Sequence, residues 1–119
     1  MREIYKLNFE SEVWLDFNRS LALSVKREKD GSFAMRRKTK KEESKRRIAG
    51  AAATTLENKL NALALETWGA EYEDPHIRDG EEWSLSLEFV DGGTKTVRGL
   101  NGYPENWRAF MKMLDWLKR

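Results

Sequence analysis

"WSLSLEFVDGGTKTVRGL", residues 83–100, carries large apolar side chains at every second position before a turn and a weaker alternation after it. In an extended chain Trp83, Leu85, Leu87 and Phe89 point one way and Ser84, Ser86 and Glu88 the other, the period of a half-buried strand. "DGG" then reverses the direction. A two-residue loop would turn Thr94, Thr96 and Arg98 onto the apolar face. A three-residue loop at Asp91–Gly93, with a glycine in the left-handed conformation, sets Val97 opposite Leu87 instead. A slip of one residue inverts every side chain, so the three-residue loop is expected.

The same period runs through the first third of the chain. Tyr5, Leu7 and Phe9 alternate, as do Val13, Leu15 and Phe17, then Leu21, Leu23 and Val25. "KDGS" marks a turn, after which "FAMRR" returns as a hairpin partner. Residues 10–20 leave a turn, a bulge or a short helix open.

Elsewhere the spacing changes to three and four. Ile48, Ala52, Leu56, Leu60, Leu63 and Thr67 lie on one stripe and predict a helix over about 44–68, ending near Gly69 and before Pro75. Lys38–Arg47 carries no apolar period and reads as a loop or as the solvated first turns of that helix, with Glu42 and Glu43 pairing locally to Lys45–Arg47. A last helix from Pro104 gathers Trp107, Phe110, Met111, Leu114 and Leu117. The order predicts an α+β fold: one domain over residues 1–119, a single antiparallel sheet of about five strands, with two helices packed on one face. The other face of such a sheet stays polar.

"RGLNGYPENWRAF", residues 98–110, joins the last strand to the last helix. Asn101-Gly102 suits positive φ, Tyr103 is held extended before a proline, and Pro104 fits the first helical position, with Asn101 or backbone geometry expected to satisfy the first helical amides. The segment reads as a structural joint, with anion capture at the helix start as its residual functional option.

Over residues 83–107 the pattern W-x-L-x-L-x-F-x-D-G, then G-x-N-x-Y-P-x-N-W, resembles a segment of small uncharacterised bacterial proteins, in which an acidic-DG-x-W step precedes the strand as "IRDGEEW" does here. The resemblance covers roughly a quarter of the chain. It implies a fold element, the last hairpin and helix start, and brings no catalytic or binding residues with it.

Composition bounds the chemistry. A chain of 119 residues with 39% hydrophobic content and five tryptophans can bury a core without staples. Cysteine is absent, which excludes disulfides, thiolate metal sites and a cysteine nucleophile. No apolar run approaches the roughly 20 residues of a membrane span, and no signal segment opens the chain; a cytoplasmic protein is expected. His76 in "YEDPHIRDG" has Asp74 and Asp79 nearby but no paired-histidine spacing, and reads as a solvated loop. "DGGTK" and "GLNG" match no phosphate-binding glycine motif. Neither catalytic nor metal-ligating residues nor a cofactor site are predicted, and the chain reads as a non-enzyme.

The net charge of +2 hides a strong polarity. Residues 26–47 hold eleven Lys/Arg against four acids, and residues 71–91 hold eight acids against Arg78. The basic cluster Arg36, Arg37, Lys38, Lys40, Lys41, Lys45, Arg46 and Arg47 is the best candidate contact surface, because such density attracts phosphate backbones and acidic surfaces. Trp14 and Trp116 lie off their apolar stripes and are candidate protein-interface residues. The expected function is a small binding module that docks a protein or nucleoprotein partner, comparable in size and charge to mobile-element inhibitors of the anti-CRISPR or anti-defence type. The alternative is a direct, largely sequence-independent nucleic-acid binder using residues 26–47.

Overall fold

The computed structural model of the chain describes residues 3–13, 19–76 and 80–118. Seven strands form one sheet: β1 (Ile4–Val13), β2 (Leu21–Arg27), β3 (Phe33–Lys38), β4 (Glu43–Ile48), β5 (Glu71–Glu73), β6 (Glu81–Phe89) and β7 (Thr94–Leu100). The helices are α1 (Ala51–Leu63) and α2 (Trp107–Leu117), with a 3-10 turn at Leu65–Thr67. The strand order is β4-β3-β2-β1-β6-β7-β5. Every neighbouring pair is antiparallel except β5 with β7, so the sheet is mixed and larger than the five antiparallel strands expected.

Alternation decides what is buried. Leu7 and Phe9 of β1 lie across from Leu87 and Leu85 of β6 and from Val25 and Leu23 of β2. These side chains, with Phe33, Met35, Trp83, Phe89 and Val97, form one side of the core. The other side comes from Leu56, Leu60 and Leu63 of α1 and Phe110, Met113, Leu114 and Leu117 of α2, so both helices cover the same face. Each such side chain contributes about 1.5–3 kcal/mol on burial. Arg27, at the end of β2, donates to both carboxylate oxygens of Glu57 on α1 at 2.8 and 3.0 Å and to the carbonyl of Ile4 at 3.1 Å, tying helix to sheet.

The hairpin of residues 81–100 keeps the expected face but not the expected register. The loop is Val90–Gly92: the Phe89 amide donates to the Gly93 carbonyl at 2.8 Å, and Gly92 takes φ 96°. Val97 therefore opposes Leu85 rather than Leu87. The shift moves the pairing by two, so Val97 still points into the core, where it is fully buried.

The long helix is shorter than its stripe suggested. Residues 43–48 pair with β3 as an edge strand, and Gly50 at φ 61°, ψ −134° breaks the chain before α1 begins. That backbone region is open essentially to glycine alone. α1 ends with Ala64 in the left-handed conformation. The last helix also starts later than expected, at Trp107 rather than Pro104. Asn101, at φ 58°, does not cap it; its Oδ1 accepts the Glu81 amide at 2.9 Å and steadies the start of β6. Asn106 does the joining, accepting from the Trp68 indole at 2.9 Å and donating to the Leu63 carbonyl at 2.8 Å. The 98–110 segment is thus a joint, as its residues suggested, built with different hydrogen bonds.

Candidate functional site

Because both helices lie on one side, the opposite face of the sheet is left uncovered among the described residues. Strand alternation places side chains there in rows across the strands. One row runs Glu43, Lys38, Ala22, Glu10, Ser84, Arg98, Glu71, and the next Lys45, Arg36, Ser24, Asn8, Ser86, Thr96. A third runs Arg47, Ala34, Lys26, Lys6, Glu88, Thr94. The floor is small and polar, the β4–β3–β2 half is mostly cationic, and the β6 and β5 strands carry Glu82, Glu88, Glu71 and Glu73. At the end nearest Glu12 and Leu100 the face sinks into an open hollow of about 720 Å³, with Lys38 and Lys40 on one wall and Glu71 and Glu73 on the other.

The basic cluster is split by its strands. Arg36, Lys38, Lys45 and Arg47 share the uncovered face, Arg37 and Arg46 turn to the helix side, and Lys40 and Lys41 sit in the tight turn between β3 and β4. The expected helical pairing of Glu42 and Glu43 with Lys45–Arg47 is replaced by pairing across the hairpin. Arg36 donates to Glu43 at 2.6 Å, Arg37 reaches Glu42 at 3.5 Å, and Arg47 donates to Asp30 at 2.6 Å. The reason is the strand itself: its register sets Arg36 and Arg37 diagonally across from Glu43 and Glu42, while Arg47, opposite Ala34, reaches the turn between β2 and β3. Exposed pairs of this kind contribute little stability, about 0–1 kcal/mol each, and leave the hairpin of residues 33–48 with eight Lys/Arg against two Glu. Arg37 differs: its side chain is only 17% exposed and its Nε is buried with no hydrogen-bond partner.

Among the described residues, three groups have pKa values shifted from their ordinary range. The Ser32 hydroxyl and amide, with Arg47, hold the Asp30 carboxyl well below the usual carboxylate range. The hydrogen bond to Glu57 raises Arg27. Burial, then the hydrogen bond to Glu81, pushes the Tyr103 hydroxyl up to about 12.

The other expected features are placed as follows. His76 is exposed in a turn, its backbone amide donating to Asp74 at 3.0 Å, and no acid-histidine cluster able to hold a metal occurs among the described residues. Asp79 and Trp14 lie outside the described residues, as do Leu15 and Phe17. Trp116 is half-buried against the core, with the Lys59 ammonium of α1 5.5 Å from its ring centre. No helix among the described residues is long and apolar enough to cross a membrane.

Sequence reasoning passed over Lys6, Glu10, Glu12 and Arg98, and took Lys26 only as the start of the basic stretch. Their signal is parity: each falls on the polar side of an alternating strand, so each belongs to the same face as Arg36 and Lys38. Compared with family profiles, with curated proteins and with solved structures, the chain matches none.

Proposed function

We propose that the chain is a non-enzymatic binding module that docks a protein or nucleoprotein partner through the charged, uncovered side of its sheet. One observation supports this above the rest. A single face carries cations on one half and carboxylates on the other, over a floor of alanine, serine and asparagine that asks for no further cover. Such a surface selects partners by charge pattern and steers their approach. In size and charge polarity the chain is comparable to inhibitors carried by mobile elements, of the anti-CRISPR or anti-defence type, and a role of that kind is the form of docking proposed.

The test is charge reversal at each pole in cells that contain the partner. Lys38→Glu with Lys45→Glu, and separately Glu71→Lys with Glu73→Lys, are expected to deplete the co-purified partner while the fold, read by circular dichroism, is kept. Identical recovery from wild type and both variants overturns the proposal.

A second reading, direct nucleic-acid binding, draws on the shared face of Arg36, Lys38, Lys45 and Arg47. If these four meet phosphates, the logarithm of affinity falls with the logarithm of salt at a slope of about −3.6, roughly 0.9 per phosphate. A labelled oligonucleotide that shows no mobility change at low salt ends this reading.

A further inference from the structure

β4 is an edge strand, with β3 on one side and, among the described residues, no strand on the other. Its phase is fixed. Thr39 donates to the Glu42 carbonyl at 2.8 Å, which makes 39 and 42 a hydrogen-bonded pair in a ladder that continues through Arg37↔Ser44, Met35↔Arg46 and Phe33↔Ile48. The backbone N–H and C=O groups of Glu43, Lys45 and Arg47 therefore point outward, away from β3. Glu43, Ser44, Lys45 and Arg47 are all exposed. This is a template for an added strand, and exposed edges of this kind are where extended peptides bind by backbone pairing.

Charge says which strand fits. β4 carries three cations against one carboxylate, so a second copy laid antiparallel on the first doubles the net positive charge of the edge, although its Glu43 can face Lys45 or Arg47 across the pair. An acidic segment meets the opposite situation on both sides of the sheet: Lys45 and Arg47 on the uncovered face, Arg46 on the helix face. Cross-strand pairs of opposite charge are favourable, and like charges directly opposite are not. A phosphate backbone lies over one surface and meets only one side of this alternation, and it offers no partner for the outward amides.

We propose that the outer edge of β4 captures an extended acidic segment of a partner protein, which adds as an eighth strand with carboxylates beside Lys45 and Arg47. The inference rests on reading the chain as a binding module and names the part of the partner that it grips.

The probe is a short blocked peptide alternating glutamate with valine. Bound to isotope-labelled protein, it is expected to slow hydrogen exchange of the Lys45 and Arg47 amides at least tenfold, while the Arg46 amide, already bonded to β3, changes little. The same peptide N-methylated along its pairing edge keeps its charge and is expected to lose the binding. Lys45→Glu with Arg47→Glu is expected to weaken it at least tenfold, with the amide shifts of β1, β6 and β7 unchanged as the check on folding. Lys45→Thr with Arg47→Thr, which keeps the strand and removes the charge, is expected to weaken it to a smaller extent.

Several results overturn the proposal. These are unchanged exchange at Lys45 and Arg47, equal binding of the N-methylated peptide, or an oligonucleotide that displaces the peptide and binds more tightly. If the pole variants still lose their co-purified partner while the peptide fails, the binding-module reading stands and only the acidic strand is wrong.

Discussion

Gly99 stands directly opposite Trp83 in the β6–β7 ladder, and a β-carbon on it would fall inside the indole ring. The indole is 2% exposed and donates to the Gly102 carbonyl at 3.0 Å, so it has little room to retreat. Its neighbours Tyr72 and Tyr103 lie near parallel to it, at 6.1 and 6.5 Å between ring centres. Overpacking a well-filled core costs about 1–3 kcal/mol. Gly99→Ala is expected to destabilise the fold by at least that much, read as a lower urea midpoint with an altered tryptophan emission; an unchanged midpoint would mean that the ring cluster yields freely.

Gly50 offers the complementary case. Nothing lies within 4 Å of a β-carbon added there, yet φ is 61° and ψ −134°. Gly50→Ala is expected to destabilise by about 1–3 kcal/mol through backbone strain alone. Since no side chain is displaced, the amide spectrum of the core should stay the same while the urea midpoint falls.

The Arg27–Glu57 pair joins β2 to α1 with side chains only 18% and 29% exposed. Removing one partner leaves a half-buried charge unmatched, which costs about 1–3 kcal/mol. Glu57→Gln and Arg27→Met are each expected to destabilise. The double variant should lose less than the sum, since contacting residues are coupled. Strict additivity in the double-mutant cycle would show that the bidentate contact contributes nothing.

Tyr103 makes the fold sensitive to alkali. Its hydroxyl donates to Glu81 at 3.0 Å and titrates at about 12, above its ordinary value of 10.0. In the unfolded chain it loses its proton first, so the stability it brings is complete below pH 10 and fades as pH rises toward 12. Partial exposure of the ring makes the effect modest. Chemical denaturation at several pH values in this window should show a smaller loss for Tyr103→Phe than for the wild type. Equal losses would assign the alkaline sensitivity elsewhere.

How far the fold could be read from the sequence depended on what each strand presents. β1, β2, β3, β6 and β7 alternate apolar with polar residues, and the β2–β3 and β6–β7 hairpins followed from turns such as the one at Gly31, whereas the β1–β6 pairing at the centre of the sheet has no local signal. β4 carries charge on both faces, Lys45 and Arg47 on one and Arg46 on the other, and only Ile48 of its six residues is buried. A hydrophobic period cannot reveal a strand whose partner is on one edge and whose two faces meet water. β5 is three residues long and pairs in parallel with a strand more than twenty residues later, so no local pattern announces it. The candidate site suffered from the first of these. The cations were visible as composition, but their division between two faces exists only once Lys45, Arg46 and Arg47 are known to lie on a strand. Their partners Asp30 and Glu43 became visible at the same step.

The placement of β4 and β5 at opposite borders of one sheet has a kinetic consequence. Six interstrand steps separate them, roughly 29 Å at the usual spacing, with excess positive charge at one border and negative at the other. The molecule is therefore an electric dipole whose axis lies in the sheet plane, perpendicular to the strands. A charged partner exerts a torque on such a body before touching it, and within a Debye length of about 8 Å in physiological salt that torque rotates the matching border forward. Encounters arrive already aligned, so added salt should slow association far more than it hastens release.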